Sequence, residues 1–271
     1  MISPFHALLL GLVEGLTEFL PVSSTGHLIL TSALLGLQGD AVNMFAVVIQ
    51  AGALIAVLGL YRERVRQMWR GLLGQDRGGQ WLLFNLFVSF LPSAIVGLLW
   101  HRAIQRSLFG VWPVVLALAV GGVFMIAIDG WLRTLRRRPA RRSLETITGW
   151  EALVVGAAQC LALWPGTSRS MVTLVSGLLL GWPASVAAEY SFLLALPTLG
   201  AATVFEGFRG RHTLIQAVSP LAMVCGCVAA GVVAWLAMRA FVVYLRRRGL
   251  APFGWYRLSV AAIVLIVFAR S

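Results

Sequence analysis

Lysine is absent from the 271-residue chain, and acids are scarce: all 22 cationic side chains are arginines, against 10 aspartates and glutamates. Without lysine there is no P-loop lysine, Schiff-base lysine or kinase-type lysine, so sites built on them are excluded. Cysteine is nearly absent as well. Cys160, Cys225 and Cys227 lie in apolar runs. Their spacing makes neither a zinc site nor a Cys-x-x-Cys redox pair, and they read as small buried hydrophobes. Charge is thin overall: 12% of residues, against 59% hydrophobic and a mean hydropathy of +0.86. A soluble domain of this length needs far more polar surface. The apolar runs do not alternate with polar residues, which excludes a membrane barrel. What remains is an all-α polytopic membrane protein built as one domain. The net charge of +12 suits anionic lipid headgroups. The arginines sit in short loops between apolar runs, so a lipid bilayer is the expected partner and nucleic acid is not.

A membrane-spanning helix needs about twenty apolar residues. Six segments qualify, roughly 42–60, 81–100, 111–132, 184–206, 214–240 and 252–270. Two stretches do not. Residues 4–20 stop at "LPVSSTGH" and turn apolar again at Leu28; residues 151–164 stop at "WPGTSRS" and turn apolar again at Met171. Each half is too short to cross and ends in proline followed by a polar loop. This pattern predicts two re-entrant helical hairpins, 4–37 and 151–181, whose tips must be buried in protein or line a wet cavity.

The hairpins resemble each other. Ala7–Gly26 aligns with Ala152–Ser170 with one gap, pairing Gly11 with Gly156, Glu14 with Gln159, Pro21 with Pro165 and Ser24 with Ser168. Three spans follow each hairpin. Three is odd, so the second copy enters the membrane upside down. Residues 1–132 and 151–271 are therefore expected to form inverted-topology repeats whose broken tips meet near mid-membrane. The loops 61–80 and 133–150 and the segment 239–257, Arg257 included, hold 16 arginines; the other side holds Arg102, Arg106, Arg209, Arg211 and Arg270. The positive-inside rule puts the heavier group in the cytoplasm and both termini outside.

Chemistry-bearing residues concentrate at the two tips. Glu14 and Glu18 are four apart and share a helix face. Two neighbouring carboxylates in a membrane segment either share a proton or hold a cation between them. The first outcome supplies a general base; the second supplies an oxygen-ligand site for Mg²⁺ or Ca²⁺ on Glu14 and Glu18. Nothing in the sequence calls for an organic cofactor. Ser23, Ser24 and Thr25 follow Pro21 at a loop-to-helix junction, where Ser24 or Thr25 can cap the return helix and where free backbone N–H groups favour an anion. His27 falls in the first turn of that helix, suited to base or proton-shuttle work. The second tip repeats the plan with an arginine. Arg169 has the planar fork that matches phosphate oxygens, and Thr167, Ser168, Ser170 and Thr173 can complete a cradle. An ion pair between Arg169 and Glu14 or Glu18 is the alternative use of that arginine. Gln50, an amide in an apolar run, either bonds across helices or reaches the site.

At these residues the chain resembles the undecaprenyl-pyrophosphate phosphatase family, the bacterial enzymes associated with bacitracin resistance. "EGLTEFLPVSSTGHL" and "PGTSRS" carry the resemblance, which extends over "VIQAGALIAV" and "EYSFLLALP" to essentially the whole chain. Met171 departs from the small residue, often glycine, expected after "SRS". The resemblance implies removal of the terminal phosphate from a polyprenyl diphosphate, recycling the lipid carrier for cell-wall synthesis. It implies that Glu14 and Glu18 are the acidic pair, Ser24 and His27 the nucleophile and acid/base positions, and Arg169 with Ser168 and Ser170 the phosphate loop. It also implies a site facing the periplasmic side of the bacterial inner membrane, and a homodimer. Either Ser24 attacks phosphorus, or an acid or His27 activates water. A polyprenyl-phosphate transporter or flippase is the rival reading, since inverted repeats and broken helices are transporter features.

Overall fold

The computed structural model describes residues 2–108, 110–134 and 142–268. Arg136, Arg137, Arg138, Arg141 and Arg270 of the topology count lie outside the described residues. Among the described residues all regular elements are helical: α1 Pro4–Thr17, α2 Ser24–Leu34, α3 Asp40–Val48, α4 Gln50–Leu60, α5 Arg62–Leu72, α6 Arg77–Leu108, α7 Val111–Thr134, α8 Gly149–Gln159, α9 Arg169–Leu179, α10 Ala184–Arg209, α11 Arg211–Ala217, α12 Pro220–Arg248 and α13 Ala251–Phe268. Short 3₁₀ turns occupy Leu144–Thr146 and Cys160–Leu163.

Capping residues account for many of the boundaries. Pro4 opens α1 while the Ser3 hydroxyl accepts the His6 N–H at 3.2 Å, a pairing that suits a helix start. Thr148 and Glu151 form a capping box on α8. Ser219 caps Ala222, with Pro220 in the first turn of α12. That cap corrects the expected span 214–240. Its first residues form the separate α11, and the long helix starts at Pro220 because the proline cannot continue a preceding helix. The expected span 42–60 is also interrupted, at Ile49, which divides α3 from α4.

Among the described residues five helical segments are long and apolar enough to cross a membrane: Asp40–Leu60, Arg77–Trp100, Val111–Thr134, Ala184–Arg209 and Pro220–Arg248. The C-terminal helix falls among the shorter apolar ones, with α1, α8 and α9.

Small residues let the helices approach closely. On α1, a Cβ at Gly11 would lie 2.3 Å from the Gly226 carbonyl of α12, and one at Gly15 2.4 Å from that of Ala230. On α8, a Cβ at Gly156 would lie 2.5 Å from the Ser89 carbonyl of α6. α1 thus leans on a helix of the second half of the chain, and α8 on a helix of the first half. The core between the halves is aromatic. Phe19, at the first tip, meets Phe192 of α10 edge-on at 5.3 Å, and Phe192 in turn contacts Phe241 of α12. A buried polar link joins α6, α8 and α10: the Ser89 hydroxyl donates to the Ala152 carbonyl at 2.7 Å and accepts from the Tyr190 hydroxyl at 2.6 Å, whose oxygen also lies 2.9 Å from the Asn85 carbonyl.

Candidate active site

The two tips have the same local construction. After α1, the backbone turns through Phe19–Val22, and Ser23 takes φ +73°; after the 3₁₀ turn, Ser168 takes φ +79°. Among the described residues they are the only non-glycine residues with positive φ, a conformation seldom adopted without local compensation. Here the compensation is a cap. The Ser23 hydroxyl accepts the Gly26 N–H at 3.3 Å, and the Ser168 hydroxyl accepts the Met171 N–H at 3.2 Å. The cap of α2 is therefore Ser23, not Ser24 or Thr25. Counted from the caps, the tips are also offset by one residue from the sequence alignment. Ser23 corresponds to Ser168, and Ser24 to Arg169. The connection from Pro165 to its cap is one residue longer than that from Pro21.

The tips touch. A Cβ on Gly26 would lie 3.4 Å from the Gly166 Cα. The Ser170 hydroxyl donates to the Leu20 carbonyl at 2.8 Å and pairs with Ser168 at 3.0 Å.

Between the two helix starts lies Glu18, buried at the end of α1. Ser24, the first residue of α2, donates its hydroxyl to Glu18 Oε2. Arg169, the first residue of α9, donates from Nη2 to Glu18 Oε1 at 3.1 Å. Of the two ion pairs expected for this arginine, the structure has the one with Glu18. Arg169 also donates from Nη1 to the Ser191 carbonyl at 2.8 Å, and its guanidinium lies 5.9 Å from the Phe19 ring centroid. Its Nε is buried without a partner. Glu14, one turn before Glu18, is fully buried beside the Glu18 carboxylate, and among the described residues no donor group bonds to either of its oxygens.

His27 does not bond to Ser24. Its Nδ1 lies 2.8 Å from the Ser23 carbonyl and its Nε2 2.9 Å from the Tyr256 hydroxyl. A carbonyl only accepts, so Nδ1 carries a proton; in the neutral ring Nε2 accepts from Tyr256. The two rings stack at 7° with centroids 5.7 Å apart.

The other expected residues are less central. Thr173 turns to its own helix and to α10, bonding the Arg169 carbonyl at 2.9 Å and the Ser191 hydroxyl at 2.6 Å. Thr25 and Thr167 are half-buried at the two tips. Gln50 is buried at the start of α4, and no hydrogen bond joins it to the tip residues.

Sequence reasoning missed Ser191, Tyr256 and Arg257. Arg257, counted above with the cytoplasmic arginines, is fully buried on α13 and donates to carbonyls of both tips and of α7. The signal was available: residue 257 falls inside an expected span, and an arginine there calls for a buried polar partner.

The family model for the bacitracin resistance protein BacA matches residues 7–263. An undecaprenyl-diphosphatase of Sorangium cellulosum (strain So ce56) is 50% identical over 264 residues, covering 96% of this chain and 85% of the relative. One from Nitrosomonas europaea is 44% identical over 261 residues, covering 96% and 93%. One from Maridesulfovibrio salexigens is 42% identical over 273 residues, covering 99% and 100%.

Proposed function

The chain belongs to the bacitracin resistance protein BacA family, and from that premise we propose that it is a membrane-embedded phosphatase hydrolysing undecaprenyl diphosphate to the monophosphate and inorganic phosphate. The observation that carries the chemistry is the Glu18 carboxylate, held between Ser24 on one tip and Arg169 on the other.

Phosphoryl transfer is chiefly positioning and charge stabilisation. The N-termini of α2 and α9 present backbone donors and the positive ends of two helix dipoles to the same space. Arg169 adds a fork of donors, with Nε unused by the protein. In our reading these groups receive the terminal phosphate. The Ser24 oxygen attacks its phosphorus, the Ser24 proton passes to Glu18 Oε2, and the bond to the bridging oxygen breaks to release the lipid monophosphate. Water then cleaves the phosphoserine, and the proton held on Glu18 Oε2 returns to the Ser24 oxygen as it leaves. His27, with Nδ1 tied to the Ser23 carbonyl, offers Nε2 to the proton that this water loses, the Tyr256 hydroxyl that rests on Nε2 turning aside. Occupation of the site by substrate would draw Arg169 from Glu18 to phosphate, leaving the carboxylate a stronger base.

The unpartnered oxygens of Glu14, one turn from Glu18, fit an oxygen-seeking divalent cation such as Mg²⁺ or Ca²⁺. Among the described residues no group of three His, Cys, Asp or Glu side chains gathers to hold a metal. The remaining ligands would be water or substrate oxygens, the usual manner of Mg²⁺. Such an ion would neutralise charge on the diphosphate.

We propose further that α1–α2 and α8–α9 are re-entrant hairpins of two inverted repeats, that α13 is the sixth span, and that the site opens to the outer face of the inner membrane. Supporting this reading are the matched caps Ser23 and Ser168, the reciprocal packing of Gly11 on α12 and Gly156 on α6, and the side-to-side imbalance of arginines. The deciding experiment is release of inorganic phosphate from undecaprenyl diphosphate by the detergent-solubilised protein, followed by trapping of a phosphoenzyme. No phosphate release would overturn the phosphatase reading. A phosphoenzyme that persists in Ser24→Ala would overturn Ser24 as nucleophile.

A further inference from the structure

Arg257 is the largest fully buried side chain among the described residues. It lies six residues into α13, about 9 Å along the helix. No carboxylate of the described residues forms an ion pair with it. A buried guanidinium without a counter-charge is costly unless its hydrogen bonds are made. Here they are all made. Nε donates to the Leu118 carbonyl at 3.3 Å; Nη1 donates to the Pro21 carbonyl at 3.3 Å and the Thr167 carbonyl at 2.9 Å; Nη2 donates to the Ala117 carbonyl at 2.8 Å and the Gly166 carbonyl at 2.7 Å. The five N–H groups of a guanidinium thus meet five carbonyls, and Met171 Sδ packs 3.3 Å from Nη1. No donor is left for a substrate phosphate.

The carbonyls are not scattered. Pro21 stands just before the cap of α2, and Gly166 and Thr167 just before the cap of α9; Ala117 and Leu118 belong to α7. One side chain therefore ties both tips to one rigid helix. A peptide unit is planar, so pulling the Thr167 carbonyl toward Arg257 turns the next N–H, that of Ser168, the opposite way. The N–H groups of Ser168, Arg169 and Ser170, and those of Ser23, Ser24 and Thr25, have no protein acceptor among the described residues. Those six donors belong to the two helix starts that carry Ser24 and Arg169 to Glu18.

We infer that Arg257 is a positioning residue that locks the two tips into a single anion cradle, acting through the Pro21, Gly166 and Thr167 carbonyls and not through contact with substrate. The uncompensated charge behind both helix starts reinforces their attraction for a diphosphate. Met171, the residue by which this chain departs from its family's expected small side chain, covers one edge of the guanidinium and keeps water from competing for the carbonyls.

This inference rests on the phosphatase reading, and its test separates the two. Arg257→Lys keeps the charge but cannot span five carbonyls. Gly121→Ala keeps the arginine and displaces it, because a Cβ there would lie 2.2 Å from Arg257 Nη2. Gly122→Ala is the packing control: its Cβ would press on the Gly254 carbonyl and Leu258 of α13, not on the guanidinium. The expected result is that Arg257→Lys and Gly121→Ala lower kcat by roughly tenfold to a hundredfold and raise KM as well, because the same cradle both binds the diphosphate and places it for attack. Gly122→Ala should keep its kcat. In parallel, inorganic pyrophosphate should raise the thermal midpoint of the wild type and fail to do so for Arg257→Lys and Gly121→Ala. If Arg257→Lys does not fold, Gly121→Ala decides. An unchanged kcat in Gly121→Ala, an equal loss in Gly122→Ala, an effect on KM alone, or a pyrophosphate response retained by Gly121→Ala would each overturn the inference. A wild type that releases no phosphate from the lipid removes the phosphatase reading; the pyrophosphate shift still judges Arg257.

Discussion

Ser24 and Arg169 hold opposite oxygens of one carboxylate. Each is the first residue of a helix that follows a left-handed serine, and each reaches Glu18 from its own side. The two halves of the chain thus supply chemically different groups at one structural position: a hydroxyl from the first tip and a guanidinium from the second. This division of labour suits phosphoryl transfer, which needs a nucleophile and a cation aimed at the same phosphate.

Glu18→Gln removes the base together with the negative charge of the ion pair. The amide keeps the shape and can still accept from Ser24 or Arg169, but it cannot take a proton. Phosphate release should fall by roughly 10²–10⁴-fold, the range of general acid–base catalysis. The thermal midpoint in detergent should fall too, because buried Arg169 loses its counter-charge, though less than in Arg169→Ala, since the amide oxygen still accepts from the guanidinium. Hydrolysis near the wild-type rate would remove Glu18 from the base role.

Arg169→Ala should weaken both activity and stability. It leaves Glu18 buried without its ion-pair partner, and breaking a buried pair from one side costs about 3–5 kcal/mol. Arg169→Lys is not expected to rescue activity, because an ammonium cannot donate to Glu18 and the Ser191 carbonyl with the same fork. Thermal melts and phosphate-release rates of the two variants, compared with Glu18→Gln, measure each contribution.

His27→Ala should abolish most turnover by removing the Nε2 acceptor, and in rapid-quench measurements the phosphoenzyme should accumulate. Tyr256→Phe is the milder neighbour. It deletes the hydroxyl on Nε2 and leaves the ring stack, so its stability cost should be about 1 kcal/mol. Its kcat should fall less than that of His27→Ala. Equal losses in the two would mean that Tyr256 itself carries the proton.

Gly11→Ala tests the architecture away from the chemistry. A methyl group there meets the Gly226 carbonyl of α12, and overpacking of this kind costs about 1–3 kcal/mol. Gly59→Ala, where no heavy atom lies within 4 Å of the added Cβ, should be nearly silent or slightly stabilising. A thermal shift of the same size in both would show that α1 and α12 are not held by close backbone approach.

Much of this molecule was legible in the sequence. Absent lysine, thin charge and long apolar runs establish a helical membrane protein, because backbone polar groups in a bilayer must be satisfied within the helix. Proline and polar residues at Pro21 and Pro165 mark where two short helices stop, and Glu14, Glu18, Ser24, His27 and Arg169 stand out as polar groups in apolar surroundings. Those are local properties, written in neighbouring residues. Only the tertiary structure decided which serine caps and which one reaches Glu18, that Arg169 and not Ser168 is the counterpart of Ser24, and that His27 faces Tyr256. It also decided that Arg257, by sequence one more arginine beside a basic run, lies inside the protein against both tips. The physical reason is that a one-residue difference in loop length rotates every following side chain by about 100° on its helix. Partners far apart in the chain are then chosen by how the helices pack, which no local pattern encodes.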